Sequence, residues 1–116
     1  MFKELDPILH SQLRLAIISI LMGVEEAEFT ALKEITQASA GNLSLQLDKL
    51  KEHNYIAIKK QLKNKYTVTK CRITKKGILA FEQYVASLKE YLNVRNNDKI
   101  DRNVTLTKKL TKENRA

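Results

Sequence analysis

The chain has 116 residues, with 21 Lys and Arg against 13 Asp and Glu and a formal net charge of +8; this length holds one domain, with or without a tail, and not two full cores. Hydrophobic residues make up 43%, enough for a single core, which excludes wholesale disorder, while three Gly and one Pro are too few for the turns of an all-β fold. A single Cys excludes a disulfide framework and a cysteine zinc site and points to a reducing compartment.

Asp6-Pro7 predicts a helix start, a carboxylate cap followed by Pro at the first helical position. Leu9, Leu13, Ala16, Ile17, Ile20 and Leu21 follow helical spacing, and Gly23 ends the run. The apolar stretch 15–24 is too short to span a bilayer and contains Ser19 and Gly23. Its upstream flank of Lys3, Glu4 and Asp6 is not the cationic region of a signal peptide. A soluble, cytoplasmic chain with no membrane contact is expected. Residues 25–29 form a short connector with room for a few extended residues. Thr30 then opens a second helix, supported by Glu34, with Ala31, Leu32 and Ile35 facing inward and an end near Gln37.

Residues 38–41 (Ala-Ser-Ala-Gly) predict a tight turn, with Ser39 capping a third helix over about 39–52. His53-Asn54 closes it, since Asn tolerates the left-handed cap. Helix, short helix, turn and helix in this order make a helix-turn-helix arrangement. Residues 55–62 alternate and are rich in β-branched side chains; residues 66–73 form a second strand, and Lys63-Asn64-Lys65 the tip of a hairpin. Thr74 caps a last long helix, with Ile78, Phe81, Val85, Leu88 and Leu92 on one stripe and Tyr84 and Tyr91 on the next. The expected class is mainly α with a small β-hairpin. A domain over 1–92 is followed by a polar, basic tail over 93–116, in which Val104, Leu106 and Leu110 are the apolar exceptions.

Charge follows this division. Residues 1–30 carry two basic against five acidic side chains, a net of −3; residues 31–92 carry twelve against five, a net of +7. The tail holds seven against three, a net of +4. Lys59, Lys60, Lys63, Lys65, Lys70, Arg72, Lys75 and Lys76 lie within 59–76 without one acidic residue. Mixed signs would serve solubility as well with less self-repulsion, so a one-signed run points to a phosphate backbone.

The order of elements resembles the winged helix-turn-helix transcriptional regulators of the MarR and ArsR type, and the small winged-helix DNA-binding domains in particular. The resemblance is carried by Leu5-Asp-Pro-Ile-Leu-His-Ser-Gln-Leu-Arg-Leu, Phe29-Thr-Ala-Leu-Lys-Glu-Ile-Thr, Gly41-Asn-Leu-Ser, Leu47-Asp-Lys-Leu-Lys-Glu-His-Asn-Tyr-Ile and Cys71-Arg-Ile-Thr-Lys-Lys-Gly. It covers roughly residues 3–92, and His53-Asn54 departs from it where relatives usually carry Gly. It implies a homodimer on double-stranded DNA, with the third helix in the major groove and the hairpin, or wing, on the backbone.

On a helical wheel Leu43, Leu47 and Leu50 form the core stripe of that helix, and Leu45 falls nearly opposite. The base-reading candidates are therefore Asn42, Ser44, Leu45, Gln46 and Lys49. Asn42 and Gln46, one turn apart, each have the groups for a paired hydrogen bond to adenine. Lys49 suits a phosphate or guanine, and Leu45 a thymine methyl, a partner protein or plain exposure; MarR-like relatives often carry Arg in its place. Ser39, Lys60, Lys63, Asn64, Lys65, Lys70 and Arg72 are the backbone candidates. Leu5, Ile8, Leu9, Phe81, Tyr84, Leu88 and Tyr91, with Phe2, exceed what a core of this size needs, and all of these but Phe2 are assigned to a dimer interface.

Other chemistry finds little support. Cys71 lies between Lys70 and Arg72, a setting that lowers a thiol pKa, but a half-buried strand residue beside Ile73 is the preferred reading. His10 and His53 lack partners at ligand spacing, so no metal is expected. No phosphate loop, nucleophile elbow or paired acidic motif is present, and no enzyme or cofactor is predicted. Tyr66 alone interrupts the basic run, which ranks RNA below duplex DNA. A sequence-specific regulator is the leading expectation, against a protein-interaction module with only non-specific nucleic-acid binding. A small-molecule effector would need a pocket that sequence does not reveal.

Overall fold

In the computed structural model, which describes residues 2–97, helix α1 spans Gln12–Met22 and is capped by Ser11, whose hydroxyl accepts from the Arg14 amide. The predicted start at Asp6-Pro7 is corrected. The Asp6 carbonyl accepts from the Leu9 and His10 amides, and its Oδ1 accepts from the Ile8 amide at 2.9 Å, closing a turn. A carboxylate followed by Pro signals a turn as well as a helix start, and the contact that decides is tertiary. The Tyr55 hydroxyl donates to Asp6 Oδ2 at 2.6 Å, tying this arm to the far side of the domain.

Gly23 ends α1 as expected. Strand β1 (Ala27–Glu28) lies in the extended connector, and α2 (Phe29–Thr36) follows directly. Thr30 lies inside α2 rather than at its cap, which is Glu28 without a side-chain hydrogen bond. Only Leu32 of the three predicted inward residues is buried; Ala31 is exposed and Ile35 is 62% exposed. A helix of eight residues rests on the core by one narrow stripe, so neighbouring positions face solvent.

Helix α3 (Ala40–Glu52) is capped by Ser39, whose hydroxyl accepts from the Asn42 amide at 3.1 Å. At its other end Asn54 takes φ 61°; its amide donates to the Lys51 carbonyl and the Tyr55 amide to the Leu50 carbonyl. This is the paired-bond stop that a left-handed residue permits, so Asn substitutes for Gly here.

Strands β2 (Ile56–Lys63) and β3 (Tyr66–Ile73) are joined by Asn64-Lys65, both at positive φ (51° and 70°). A two-residue turn of that hand matches the twist of the strands it joins. The three antiparallel strands run in the order β1-β3-β2, with Ala27 opposite Cys71 and Ile58 opposite Cys71 on the other side.

Helix α4 (Lys75–Asn97) continues past residue 92, where the sequence predicted the tail to begin. Thr74 opens it: its hydroxyl accepts from the Gly77 amide at 3.0 Å and donates to the Asn54 carbonyl at 2.6 Å. The core comprises Leu9, Ile17, Ile18, Leu21, Leu32, Leu43, Leu47, Leu50, Ile56, Cys71 and Tyr84. Leu92, predicted on the inner stripe of α4, is 61% exposed, while Ser87 lies inward. The tail readings at Val104, Leu106 and Leu110 lie outside the described residues.

Candidate nucleic-acid interface

Burial of Leu43, Leu47 and Leu50 fixes the rotation of α3 about its axis. Asn42, Ser44 and Lys49 are consequently exposed, and Leu45 is 52% exposed on the same outer side. Ser39 is exposed at the cap, so the N-terminal turn of a helix about 20 Å long opens to solvent. Gly41 sits in that turn with no atom within 4 Å of an added Cβ; nothing inside the protein requires glycine there.

Gln46 differs from its neighbours because it is half-buried and hydrogen-bonded at both ends of its amide. Arg14 of α1 donates through Nη1 to Gln46 Oε1 at 2.5 Å, and Gln46 Nε2 donates to Asn42 Oδ1 at 2.9 Å. Arg14 itself is anchored through Nε to the Ile8 carbonyl at 2.6 Å and through Nη2 to the Pro7 carbonyl at 3.4 Å. The turn after Asp6, α1 and α3 thus meet on one guanidinium.

The hairpin sorts its cations by the two-residue period of strands. Lys60 faces the same side as Ile56 and Ile58, whereas Lys59, Lys63, Lys70 and Arg72 share the other side through the pairs Lys59 with Lys70 and Ala57 with Arg72. The structure therefore does not bring Lys60, Lys70 and Arg72 together as one track. Lys70 is also committed: its ammonium pairs with Glu26 at 3.1 Å, which offsets the like charge of Lys59 directly opposite. At the tip Lys63, Asn64 and Lys65 are all exposed, with Leu62 at 78% and Tyr66 at 75% exposure beside them.

Residues 13–92 match the family of winged helix DNA-binding domains, a span that takes in the helix-turn-helix, the hairpin and most of α4. The chain belongs to this family. A Methanocaldococcus jannaschii protein, the uncharacterized MJ0432, is 37% identical to this winged helix chain over 78 residues, 67% of this chain and 85% of that protein. Among solved structures, a transcriptional regulator homologue from Pyrococcus horikoshii superposes with a TM-score of 0.72 at 22% identity, over 77% of this chain and 88% of that one. A mutant MarR from E. coli, in complex with operator DNA, gives 0.63 at 15% identity over 93% of this chain and 76% of its own. These two likenesses show a shared fold, and the family match describes that fold in this chain as a winged helix DNA-binding domain.

The residues assigned to a dimer interface are mostly used by this winged helix domain on itself. Leu9 is fully buried and Tyr84 is 5% exposed, so neither retains surface for a second subunit, and their assignment is corrected. The physical reason is the segment 2–10, which docks on α4 of its own chain. His10 Nδ1 lies 3.0 Å from the Tyr84 hydroxyl, Tyr91 donates to the Lys3 carbonyl at 2.8 Å, and the Phe2 and Tyr91 rings are 4.8 Å apart. Leu5, Ile8 and Phe81 pack partly against the core and Leu88 is half-buried. An apolar groove of about 480 Å³ remains open beside α4, lined by Met22, Phe81, Val85 and Ala86 with Glu82 and Lys89 at its edges.

Cys71 is fully buried rather than half-buried, and burial pushes its thiol up to about 11. The neighbouring cations Lys70 and Arg72 project to the opposite face, so they do not favour its thiolate. Among the described residues no group of three metal-ligating side chains exists, and no helix is long and apolar enough to cross a membrane. Arg14 is the functional candidate that the sequence did not yield. Its one visible signal is a lone charge inside an apolar run, and nothing in local spacing reveals a partner 32 positions away.

Proposed function

We propose that this winged helix protein is a homodimeric transcription regulator that binds a specific double-stranded DNA operator. In this reading α3 lies in the major groove and the β2–β3 hairpin lies on the flanking backbone. The observation that carries it is the fixed rotation of α3. One leucine stripe locks the helix to the core, while Asn42, Ser44, Leu45 and Lys49 line the opposite side. A helix about 10–12 Å across fits a groove about 12 Å wide, and only a rotationally fixed helix presents the same groups to every site. The structural likeness to MarR bound to its operator supports the same mode of docking here.

The roles then divide by position. Asn42, Ser44 and Leu45 meet base edges, Gln46 orients Asn42, and Lys49 meets a phosphate or guanine. Ser39 and the exposed amides around Gly41 meet the backbone at the N-terminal end of α3, where the helix dipole favours an anion. Lys63, Asn64 and Lys65 reach the backbone or the minor groove, with Lys60 and Arg72 on opposite sides of the wing. A second subunit covers the groove at Met22, Phe81 and Val85, and two reading heads then address half-sites about one helical turn apart.

The test is binding of the full-length chain to a selected fragment and to random duplex, by fluorescence anisotropy across a range of salt. An operator-binding regulator retains one site against excess random DNA, and its affinity falls steeply with salt. The exposed Ile35 and Leu45 favour the second reading, a protein-interaction module. Binding that is uniformly lost to random competitor would select that reading instead.

A further inference from the structure

Arg14, Gln46 and Asn42 form a relay whose hydrogen-bond sense is dictated from one end. Guanidinium nitrogens only donate, so the Gln46 atom facing Arg14 Nη1 is necessarily the carbonyl oxygen. That leaves Gln46 Nε2 on the other side, and the Asn42 atom it meets at 2.9 Å is necessarily an acceptor, Oδ1. Asn42 is exposed, and with Oδ1 turned forward along the helix to Gln46 its Nδ2 hydrogens are the groups on the side away from the relay.

The sense of that amide matters for base choice. Adenine presents an acceptor and a donor in the major groove, so pairing with it takes both ends of an Asn or Gln amide; guanine presents two acceptors, N7 and O6. In this relay the acceptor end of Asn42 is occupied by Gln46, and the acceptor end of Gln46 is occupied by Arg14. The adenine pairing expected from residue type alone is therefore disfavoured at both positions.

We propose that Arg14 is a positioning residue that sets the Asn42–Gln46 pair to offer amide hydrogens, so that α3 selects an acceptor-rich base edge, guanine first. The proposal rests on α3 being the reading helix. Arg14 need not touch DNA: it is held by the Ile8 and Pro7 carbonyls and acts through Gln46. Gln46→Glu reverses the relay, because a carboxylate still accepts from Arg14 but has no hydrogen to give. Asn42 then donates Nδ2 to that carboxylate and turns its oxygen outward, which favours a base edge that carries a donor.

The experiment is enrichment of bound fragments from a randomised duplex pool. It uses the full chain and its Arg14→Met, Arg14→Lys and Gln46→Glu variants, each checked for folding by thermal melting. The parent is expected to enrich guanine over adenine at one position of each half-site. Arg14→Met should reduce that preference roughly tenfold, the scale of one paired base contact, while Arg14→Lys, which keeps a donor, should retain most of it. Gln46→Glu should replace guanine by cytosine or adenine at the same position, a change of identity that general loosening of the fold does not produce. Should Arg14→Met fail to fold, Gln46→Met removes the same contact from the α3 side and should show the same tenfold loss. Parent selection of adenine there, or an unchanged motif in Gln46→Glu and in the folded Met variant, would overturn the relay. A parent pool with no enriched motif would instead overturn sequence reading by α3, and the relay with it.

Discussion

Gly77→Ala puts a methyl group where α4 meets the end of α3. The added Cβ would lie 2.2 Å from the Tyr55 carbonyl oxygen and 2.8 Å from Ile73 Cγ1. An ordinary C···O approach is about 3.3 Å or more, so the start of α4 must retreat by roughly 1 Å. The carbonyl it retreats from also accepts from the Thr74 amide at 3.0 Å, and that bond is stretched beyond useful length. Overpacking costs about 1–3 kcal/mol and a lost hydrogen bond about 1 kcal/mol, against up to about 1 kcal/mol gained in helix propensity. A net loss of about 2–3 kcal/mol lowers the melting temperature by roughly 10–20 °C in a domain of this size. Urea titration and thermal melting followed by circular dichroism measure it, with Gly41→Ala as the internal control. Gly41 also lies in the first turn of a helix but has open space around it, so its Ala variant should gain stability by up to about 1 kcal/mol. A Gly77→Ala protein as stable as the parent would refute the argument that close approach demands glycine there.

The charge and packing assignments make further claims. Lys63→Ala and Lys65→Ala should each weaken binding to all duplexes alike and reduce the log–log salt slope by about one unit; a changed sequence motif would contradict a backbone role. Glu26→Gln frees Lys70 from its 3.1 Å pair, so DNA affinity should rise and the salt slope steepen in titrations by anisotropy, while stability changes by about 1 kcal/mol or less. Leu45→Ala should lower affinity for a site that places thymine under α3 and leave random duplex binding unchanged, which the same titrations resolve. Cys71 and Tyr55 have pKa values raised to about 11 and about 12, the first by burial, the second by burial and then its bond to Asp6. Each acid ionises more readily in the unfolded chain, so their contribution is complete below the unfolded pKa and is lost as pH climbs. Unfolding midpoints should fall between about pH 9 and 12, and thiol labelling near pH 8 should be slow until urea is added.

Much of the fold is visible in local chemistry because its signals are local. Ser39 and Thr74 cap α3 and α4 with their own neighbours, Asn54 stops α3 through its own backbone, and the leucine stripe of α3 follows from its period. Where two local structures share one signal, sequence does not separate them. Asp6-Pro7 suits a turn and a helix start equally, and the bond from Tyr55, 49 positions away, selects the turn. Apolar surplus is ambiguous in the same way: Leu9 and Tyr84 have the composition of an interface, yet both are buried within the chain, Leu9 as part of the arm of residues 2–10 and Tyr84 where His10 of that arm meets it.

The amino-acid sequence by itself determined the order of the elements, the winged helix class, the exposed outer side of α3 and the concentration of positive charge in the hairpin. The class rests on the resemblance of the motifs to that family, and the others on periodicity, capping or net charge, which act over a few neighbouring residues. Only the tertiary structure decided which amide faces outward on α3, which hairpin cations share a side, and which of them Glu26 neutralises. Those depend on Arg14 reaching α3 from α1, and on the register of β3 between β1 and β2. Directional hydrogen bonds and strand register are set by groups that meet only when the chain has folded.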